Sequence, residues 1–292
     1  MSSITHNAAD KHEHWDLVIT PKNSLFNLNL KEVWSYRDLM WLFVKRDFVA
    51  QYKQTILGPL WHFIQPLFTT LMFFIVFGTI AKIKTDTGMH PILFYMSGVT
   101  IWNYFSACLS NTSNTFVANA GIFGKVYFPR LVIPLSVVIS NIVKFGIQFL
   151  LLLLVMVFFS FKGFPIKFGW AWLLIPVLIT MMSGLGLGLG IIISSLTTKY
   201  RDFSVFIGFA VQLLMYITPV VLPMSYYNQS KYKFLVTFNP LSSIVEAFRY
   251  ALFQTGTLNT GGLLYSLAFI VVVIFIGLIV FAKVERSFMD TV

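Results

Sequence analysis

The sequence predicts an all-α integral membrane protein with six transmembrane helices, and three observations support this fold class. First, 57% of the 292 residues are hydrophobic and only 11% are charged, with a mean hydropathy of +0.77. Soluble domains carry about 25% charged residues. Second, apolar stretches of about 20 residues, long enough to cross a bilayer, recur along the chain. Third, short polar segments separate these stretches, so we expect no soluble domain beyond an N-terminal tail.

Charge and cysteine content exclude two further interpretations. The formal net charge of +10 is explained by basic residues on cytoplasmic loops that face anionic lipid, so no nucleic-acid partner is required. The only cysteine, Cys108, excludes an intrachain disulfide. In the predicted tail, residues 1–30, His12 and His14 are expected to be solvated, and no metal site is predicted.

Residues 31–53 have the pattern of an amphipathic helix. Trp34, Trp41, Val44 and Phe48 lie within about 80° of one another at about 100° per residue. Tryptophans on the apolar side are typical of a helix that lies in the membrane interface. The candidate interface residues are Trp41, Lys45, Arg46 and Tyr52.

Six apolar stretches follow this helix. Gly58 and Pro59 begin the first one, because proline is tolerated in the first turn of a helix. The predicted spans are residues 60–80, 92–117, 131–159, 170–196, 203–221 and 263–282.

The second span carries a polar stripe. Asn103, Ser106, Ser110, Ser113 and Asn114 share one helical face. Such a stripe faces protein or water rather than lipid. It either forms hydrogen bonds to neighbouring helices or lines a path for a hydrophilic substrate, and the sequence leaves both open. The candidate path residues are Asn103, Tyr104, Ser106, Ser110, Asn114, Gln212 and Tyr216.

The third span contains an ionisable residue. Asn141, Lys144 and Gln148 lie within about 60° of one another, and Lys144 is about 20 Å along the predicted helix. This depth would prevent easy contact of its ammonium group with water if the helix began at the membrane surface. Lys144 is therefore a functional candidate, or else it neutralises a neighbouring dipole or carboxylate.

The fourth span has four glycines at alternate positions. Their spacing matches neither a dinucleotide fingerprint nor a P-loop. We expect them to let other helices approach closely. These glycines are Gly184, Gly186, Gly188 and Gly190.

Two segments outside the spans have distinct patterns. Residues 119–130 contain Lys125, Arg130 and a proline, which suits a short surface helix beside the bilayer. Residues 223–262 are not apolar enough to span and predict a pair of re-entrant or interfacial half-helices on the outer face. Glu246 and Arg249 are three residues apart there and are expected to pair.

The arginines favour cytoplasmic termini. Six spans place both ends on one side, and with the ends inside only Arg249 lies outside. The lysines are less decisive, because several would face out. The arginines placed inside are Arg37, Arg46, Arg130, Arg201 and Arg286.

Several catalytic motifs are missing from the sequence. The run from Gly121 to Lys125 is too short for a P-loop and lacks its hydroxyl residue. The predicted spans hold almost no acidic residues, which argues against a carrier driven by protons or sodium. Any uphill transport would therefore take its energy from another subunit.

Ordered motifs along the chain resemble a known family. They are WLFVKRDF at 41–48, YKQTILGPLW at 52–61, QP at 65–66, residues 119–134, KYRD at 199–202, TPV at 218–220, NPL at 239–241, EAFR at 246–249 and VERSF at 284–288. In this order they resemble the permease subunit of bacterial ABC exporters for O-antigen, teichoic acid and capsular polysaccharide. Lys144 departs from that family, in which an acidic residue is often found at this position.

The resemblance implies a homodimer in the bacterial inner membrane, with two ATPase subunits that bind ATP and Mg. This chain would hold no cofactor, and the substrate would be an undecaprenyl-type lipid-linked glycan. It also implies a coupling helix that docks on the ATPase, and we expect Phe123→Asp to uncouple a folded protein. The implied coupling residues are Gly121, Ile122, Phe123, Lys125, Val126 and Tyr127. The implied outer-gate residues are Asn239, Pro240, Glu246 and Arg249.

Two other functions fit less well. A related permease could export a drug or a lipid instead of a glycan. A membrane-embedded glycan transferase would need a general base or a metal site near the interface. The carboxylates available for it, Asp86, Asp202 and Glu246, are too scattered in the sequence to form an evident site.

Overall fold

The computed structural model describes residues 30–53, 55–85, 89–123, 125–164, 169–200, 202–228 and 231–288. All regular secondary structure within these ranges is helical. The predicted N-terminal tail lies outside the described residues apart from Leu30, as do Gly124 in the predicted coupling segment and Arg201 in the loop after the fourth span.

Twelve α-helices follow one another along the described chain. They are α1 (Leu30–Ser35), α2 (Arg37–Tyr52), α3 (Trp61–Phe73), α4 (Pro91–Ser113), α5 (Thr115–Phe123), α6 (Val132–Ser160), α7 (Leu174–Thr197), α8 (Asp202–Ile217), α9 (Met224–Asn228), α10 (Lys233–Thr237), α11 (Pro240–Phe253) and α12 (Thr260–Phe288). A 3₁₀ turn (Gly58–Leu60) precedes α3, a π-helical segment (Phe74–Ile80) continues it, and a 3₁₀ turn (Trp170–Leu173) precedes α7.

Among the described residues, five helical stretches are long and apolar enough to cross a membrane. The fifth predicted span, residues 203–221, corresponds to α8, which has 16 residues and is therefore only about 24 Å long. A bilayer core is about 30 Å thick, so six spans remain a prediction. The five stretches are Gly58–Ile80, Pro91–Ser113, Val132–Ser160, Trp170–Thr197 and Thr260–Val284.

Helix α4 is the centre of the bundle. In its most apolar window 78% of residues are buried, compared with 11% in the stretch that contains α3. Helices α3, α6, α7 and α11 all pack against α4. Few residues of the α3 stretch are therefore buried within the chain. The second span ends at Ser113, so the last residues predicted for it belong to α5.

The glycines of α7 allow close packing on two sides, as predicted. A Cβ added at Gly186 would lie 2.8 Å from the Cβ of Cys108 on α4. A Cβ added at Gly188 would lie 3.0 Å from a Val273 methyl group on α12. A side chain at either position would crowd the neighbouring helix. The two glycines therefore allow α7 to lie directly between α4 and α12.

Helix α2, which corresponds to most of the predicted interface helix, packs against α6. Met40, Phe43 and Val44 are buried, whereas Trp34 and Trp41 are exposed. Of the predicted apolar stripe, Trp34 and Trp41 are therefore free of protein contacts, whereas Val44 packs on the protein. The position of this helix in the membrane interface stays a prediction.

Candidate functional site

A polar cavity of about 320 Å³ lies between α2, α3, α4 and α6. An adjoining cavity of about 410 Å³ shares four of its residues, so the two form one polar region. We call the first of these the polar cavity. It is lined by Gln51, His62, Gln65, Asn103, Tyr104, Ser106, Ala107, Ser110, Asn111, Asn141, Lys144, Phe145 and Gln148.

Helices α4 and α6 supply the polar cavity with amide groups that also hold the two helices together. Asn103 Nδ2 donates to Gln148 Oε1 at 3.3 Å, and Asn111 Nδ2 donates to Asn141 Oδ1 at 3.2 Å. The two interpretations of the α4 polar stripe are thus compatible: Asn103 both bonds to a neighbouring helix and faces the cavity.

Lys144 lies beside the beginning of α3. His62 and Gln65, in the first two turns of α3, line the same cavity as Lys144. The first turns of α6 pack against α2 and the α5–α6 segment, in a cluster that includes Phe43, Phe128 and Val132. Lys144 is about 18 Å along α6, but it is level with the start of α3.

Asp47 is an acidic residue that lies close enough to this lysine to affect it electrostatically. It lines the adjoining cavity together with Lys144 and attracts its ammonium group electrostatically. Asp47 Oδ1 also accepts hydrogen bonds from the guanidinium of Arg46 at 2.9 and 2.7 Å. With one carboxylate and two cations, this end of the cavity has a net positive charge.

The structure brings together only part of the predicted path set. Asn103, Tyr104, Ser106 and Ser110 line the polar cavity, but Asn114 does not. Asn114 follows α4, and its Nδ2 donates to Ser110 O of its own chain at 3.2 Å. The remaining two, Gln212 and Tyr216, are exposed on α8.

Nine of the residues that line the cavity were missing from the predicted path set. Asn141, Lys144 and Gln148 were predicted only to share a face of the third span, and the others are Gln51, His62, Gln65, Ala107, Asn111 and Phe145. His62 and Gln65 are polar residues three positions apart in an apolar span, which is the pattern that drew attention to α4. Gln51 had no such signal. It faces the cavity because α2 turns Met40 and Val44 toward the protein, and Gln51 lies on that side of the helix.

The predicted coupling segment is helical only in its first part. Helix α5 is kinked at Asn119 (φ −117°, ψ 15°) and ends at Phe123. Val126 and Tyr127 follow it, and both are 58% exposed. These two side chains are the large apolar groups that the segment presents to its surroundings.

Phe123 differs from its predicted role. It is 5% exposed, and its ring packs on Phe116 and Phe128 with centroid distances of 5.8 Å. The Arg130 guanidinium lies 5.5 Å from the ring centroid of Phe123. The expectation that this side chain fills a cleft on a partner was wrong, because its apolar surface is already covered within the chain.

Arg249 lies at the opposite end of α4 and is almost completely buried (1% exposed). Its Nη1 donates to Pro219 O at 2.5 Å and to Glu246 Oε1 at 3.0 Å, which confirms the predicted pairing with Glu246. Its Nη2 donates to Val220 O at 2.9 Å and to Phe94 O at 3.4 Å. We call these five residues the Arg249 cluster.

Two further features complete this region. A Cβ added at Gly98 would lie 2.6 Å from Arg249 Nη2, so only glycine leaves room for the guanidinium. Asn239 caps α11 by accepting from the Leu241 N–H at 3.0 Å, and its Nδ2 donates to Thr218 Oγ1 at 2.8 Å. Pro240 is the first residue of α11. These contacts connect α11 to α4 and to the end of α8.

The described residues contain no group of three or more His, Cys, Asp or Glu side chains that could hold a metal ion. The chemistry of the polar cavity is instead that of amides, hydroxyls, one imidazole and one ammonium group. Such groups recognise hydroxyl-rich or anionic ligands through hydrogen bonds.

A bundle of membrane-length helices around a polar cavity is the architecture of a membrane transport subunit. The sequence matches the ABC-2 type transporter family over residues 38–253, and the chain belongs to this family.

Relatives of known identity agree with this assignment. The chain is 30% identical to the O-antigen export system permease protein RfbA of Klebsiella pneumoniae over 256 residues, which is 87% of this chain and 94% of the relative. It is 23% identical to the protein of the same name from Myxococcus xanthus over 246 residues, or 84% of this chain and 91% of the relative.

Proposed function

We propose that this protein is the transmembrane channel subunit that exports a lipid-linked polysaccharide across the bacterial inner membrane. The polysaccharide would be of the O-antigen, capsular or teichoic acid type. ATP and Mg would be bound by a separate subunit, since this sequence has no P-loop. The observation that carries the proposal is the 30% identity to an O-antigen export permease over 94% of that protein.

The polar cavity supports a hydrophilic substrate. Sugars present hydroxyl groups, which pair with amides and hydroxyls, and apolar ring faces, which pack on aromatic rings. On α4, Asn103, Ser106 and Ser110 offer the polar groups, and Tyr104 offers a ring. We infer that the exported glycan passes along this face of α4.

We further infer a homodimer with six spans per chain and cytoplasmic termini. Only 11% of the residues in the most apolar window of the α3 stretch are buried within the chain. Helix α8 exposes Val205, Phe206 and Phe209. A second copy would cover such surfaces. Gln212 and Tyr216, exposed on α8, remain candidates for a path between two copies. Arg249 is buried in protein, so it does not count against cytoplasmic termini.

The coupling segment provides the first test of a partner ATPase. Because Tyr127 is 58% exposed, Tyr127→Asp should leave the permease folded and abolish glycan export. Phe123→Asp is the matched control: it places a carboxylate in an apolar cluster and should prevent folding. Both are measured by detergent-solubilised Tm and by surface glycan. Normal export with Tyr127→Asp would contradict coupling through this surface.

Deletion of the gene tests the transport function itself. A deletion strain should accumulate a lipid-linked polysaccharide on the cytoplasmic side, and a plasmid copy of the wild-type gene should restore surface glycan. Accumulation of a lipid or a drug, with normal surface glycan, would overturn the proposal. Loss of glycan synthesis rather than of export would favour the transferase instead.

A further inference from the structure

The polar cavity contains a cation that is not neutralised by a direct ion pair. Within the described residues, Lys144 forms no salt bridge. Asp47, the carboxylate that attracts it electrostatically, forms an ion pair with Arg46. A partly buried cation without a close partner loses hydration without a compensating contact. An anionic ligand would supply that contact.

Two polar groups in the same cavity have no oxygen or nitrogen partner among the described residues. Asn141 is 1% exposed, and its Nδ2 faces only the Cys108 sulfur, which is a weak acceptor. His62 Nε2 is also buried without a partner in this part of the chain. Buried polar groups in native proteins are almost always satisfied, so unused ones indicate a water, ion or ligand.

The depth of the cavity selects the kind of anion. Lys144 lies beside the first turns of α3 and near the end of the interface helix α2, with Gln51 and His62 on either side of the cavity. Interface helices lie at the level of lipid head groups. Basic pockets between membrane helices at this level bind phosphorylated head groups.

We propose that the polar cavity binds the phosphate or diphosphate head group of the lipid carrier, with Lys144 as its cation and Asn141 and His62 as further contacts. The identity of the lipid rests on the proposed function. The site would hold the anionic end of the substrate beside the α4 face along which the glycan passes.

Binding of undecaprenyl diphosphate to the full-length chain in phosphatidylcholine nanodiscs tests this site. Lys144→Met should raise the Kd about tenfold or more, because a hydrogen bond to a charged group contributes about 1.5–3 kcal/mol. Lys144→Arg retains the charge and should stay within about threefold. Asn141→Asp replaces a donor with a negative charge and should also weaken binding about tenfold. Unchanged binding in both Lys144→Met and Asn141→Asp would overturn the proposal.

Controls separate the possible sources of the anion. Lys233→Met removes an exposed lysine outside the cavity and should bind like the wild type. Undecaprenol, which lacks phosphate, should bind at least about tenfold more weakly, and equal binding would overturn the role of the head group. If phosphatidylglycerol binds as tightly as the carrier, and its binding is weakened equally by Lys144→Met, the assignment to the carrier lipid is overturned.

The test is independent of the proposed function, because binding requires neither glycan nor ATPase. If the carrier binds through Lys144 but deletion of the gene leaves export intact, the proposed function alone is contradicted. If deletion of the gene abolishes export but binding of the carrier in nanodiscs does not depend on Lys144, the head-group site alone is contradicted.

Discussion

Two basic side chains at opposite ends of α4 have different surroundings. Arg249 is 1% exposed and donates four hydrogen bonds, three of them to backbone carbonyls. Its guanidinium carbon also lies 3.7 Å from the ring centroid of Phe94. Lys144 is half-buried in the polar cavity and has no direct salt bridge within the described residues.

This difference separates a structural cation from a binding cation. Nη1 and Nη2 of Arg249 each donate two hydrogen bonds at the Arg249 cluster, so that cation stabilises the connection between α8, α11 and α4. A lysine is a flexible point charge, and a cavity beside it leaves space for a mobile or exchangeable partner. Buried charge alone does not indicate function; the contacts around the charge decide it.

The largest effect on stability is expected at the Arg249 cluster. Arg249→Met leaves the Pro219 and Val220 carbonyls without donors and Glu246 without this partner, which should cost about 3–5 kcal/mol. We expect a large fall in Tm for the purified permease. Arg249→Lys keeps the charge but not the planar guanidinium, so its Tm should lie between those of the wild type and Arg249→Met. A Tm within 1–2 °C of wild type for Arg249→Met, roughly the shift of a sub-kcal/mol change, would show that this cation is not structural.

A smaller effect on stability is expected at His90, which becomes a cation only at acidic pH. Burial, followed by the nearby charge of Lys162, lowers the pKa of His90 below its ordinary value of 6.5. The neutral ring accepts a hydrogen bond from the Ile92 N–H at 3.3 Å and caps α4.

The unfolded chain therefore takes up this proton first as the pH falls. Stability is complete above about pH 6.5 and declines below it, by at most about 1.4 kcal/mol per pH unit from this group. His90→Asn keeps a capping oxygen without titrating. Unfolding measured from pH 8 to pH 5 should show a steeper decline for wild type than for His90→Asn. Identical profiles would mean that protonation of His90 is tolerated.

The smallest effect on stability is expected at Lys144. Lys144→Met removes a cation that has no direct salt bridge in the described structure, so the unfolding free energy should stay within about 1 kcal/mol of wild type. Thermal unfolding beside Arg249→Met provides the comparison. If the two variants destabilise the protein equally, Lys144 is a structural residue and the distinction between the two cations fails.

Periodicity predicted the elements that are governed by short-range patterns. The apolar stretches, the close packing at Gly186 and Gly188, and the pairing of Glu246 with Arg249 follow from spacing alone. The polar stripe of α4 also predicted Asn103 and Ser106 as cavity residues.

Long-range packing explains what the sequence could not predict. The position of Lys144 depends on how far α6 extends past α2, and no local pattern encodes that offset. Phe123 and Tyr127 have similar residue types and are close in sequence, but only the fold buries the first and exposes the second. The α2 helix has several apolar residues, and the structure alone shows that Met40 rather than Trp41 packs inward.

The most direct test of the proposed path along α4 is photo-crosslinking during export. A benzophenone amino acid at position 106, in place of Ser106, would face the polar cavity, and one in place of Leu264 would lie on the exposed surface of α12 (67% exposed). We predict a glycan-linked permease for position 106 and none for position 264. Active export with no glycan attached at position 106, or with equal labelling at both positions, would contradict passage of the glycan along this face.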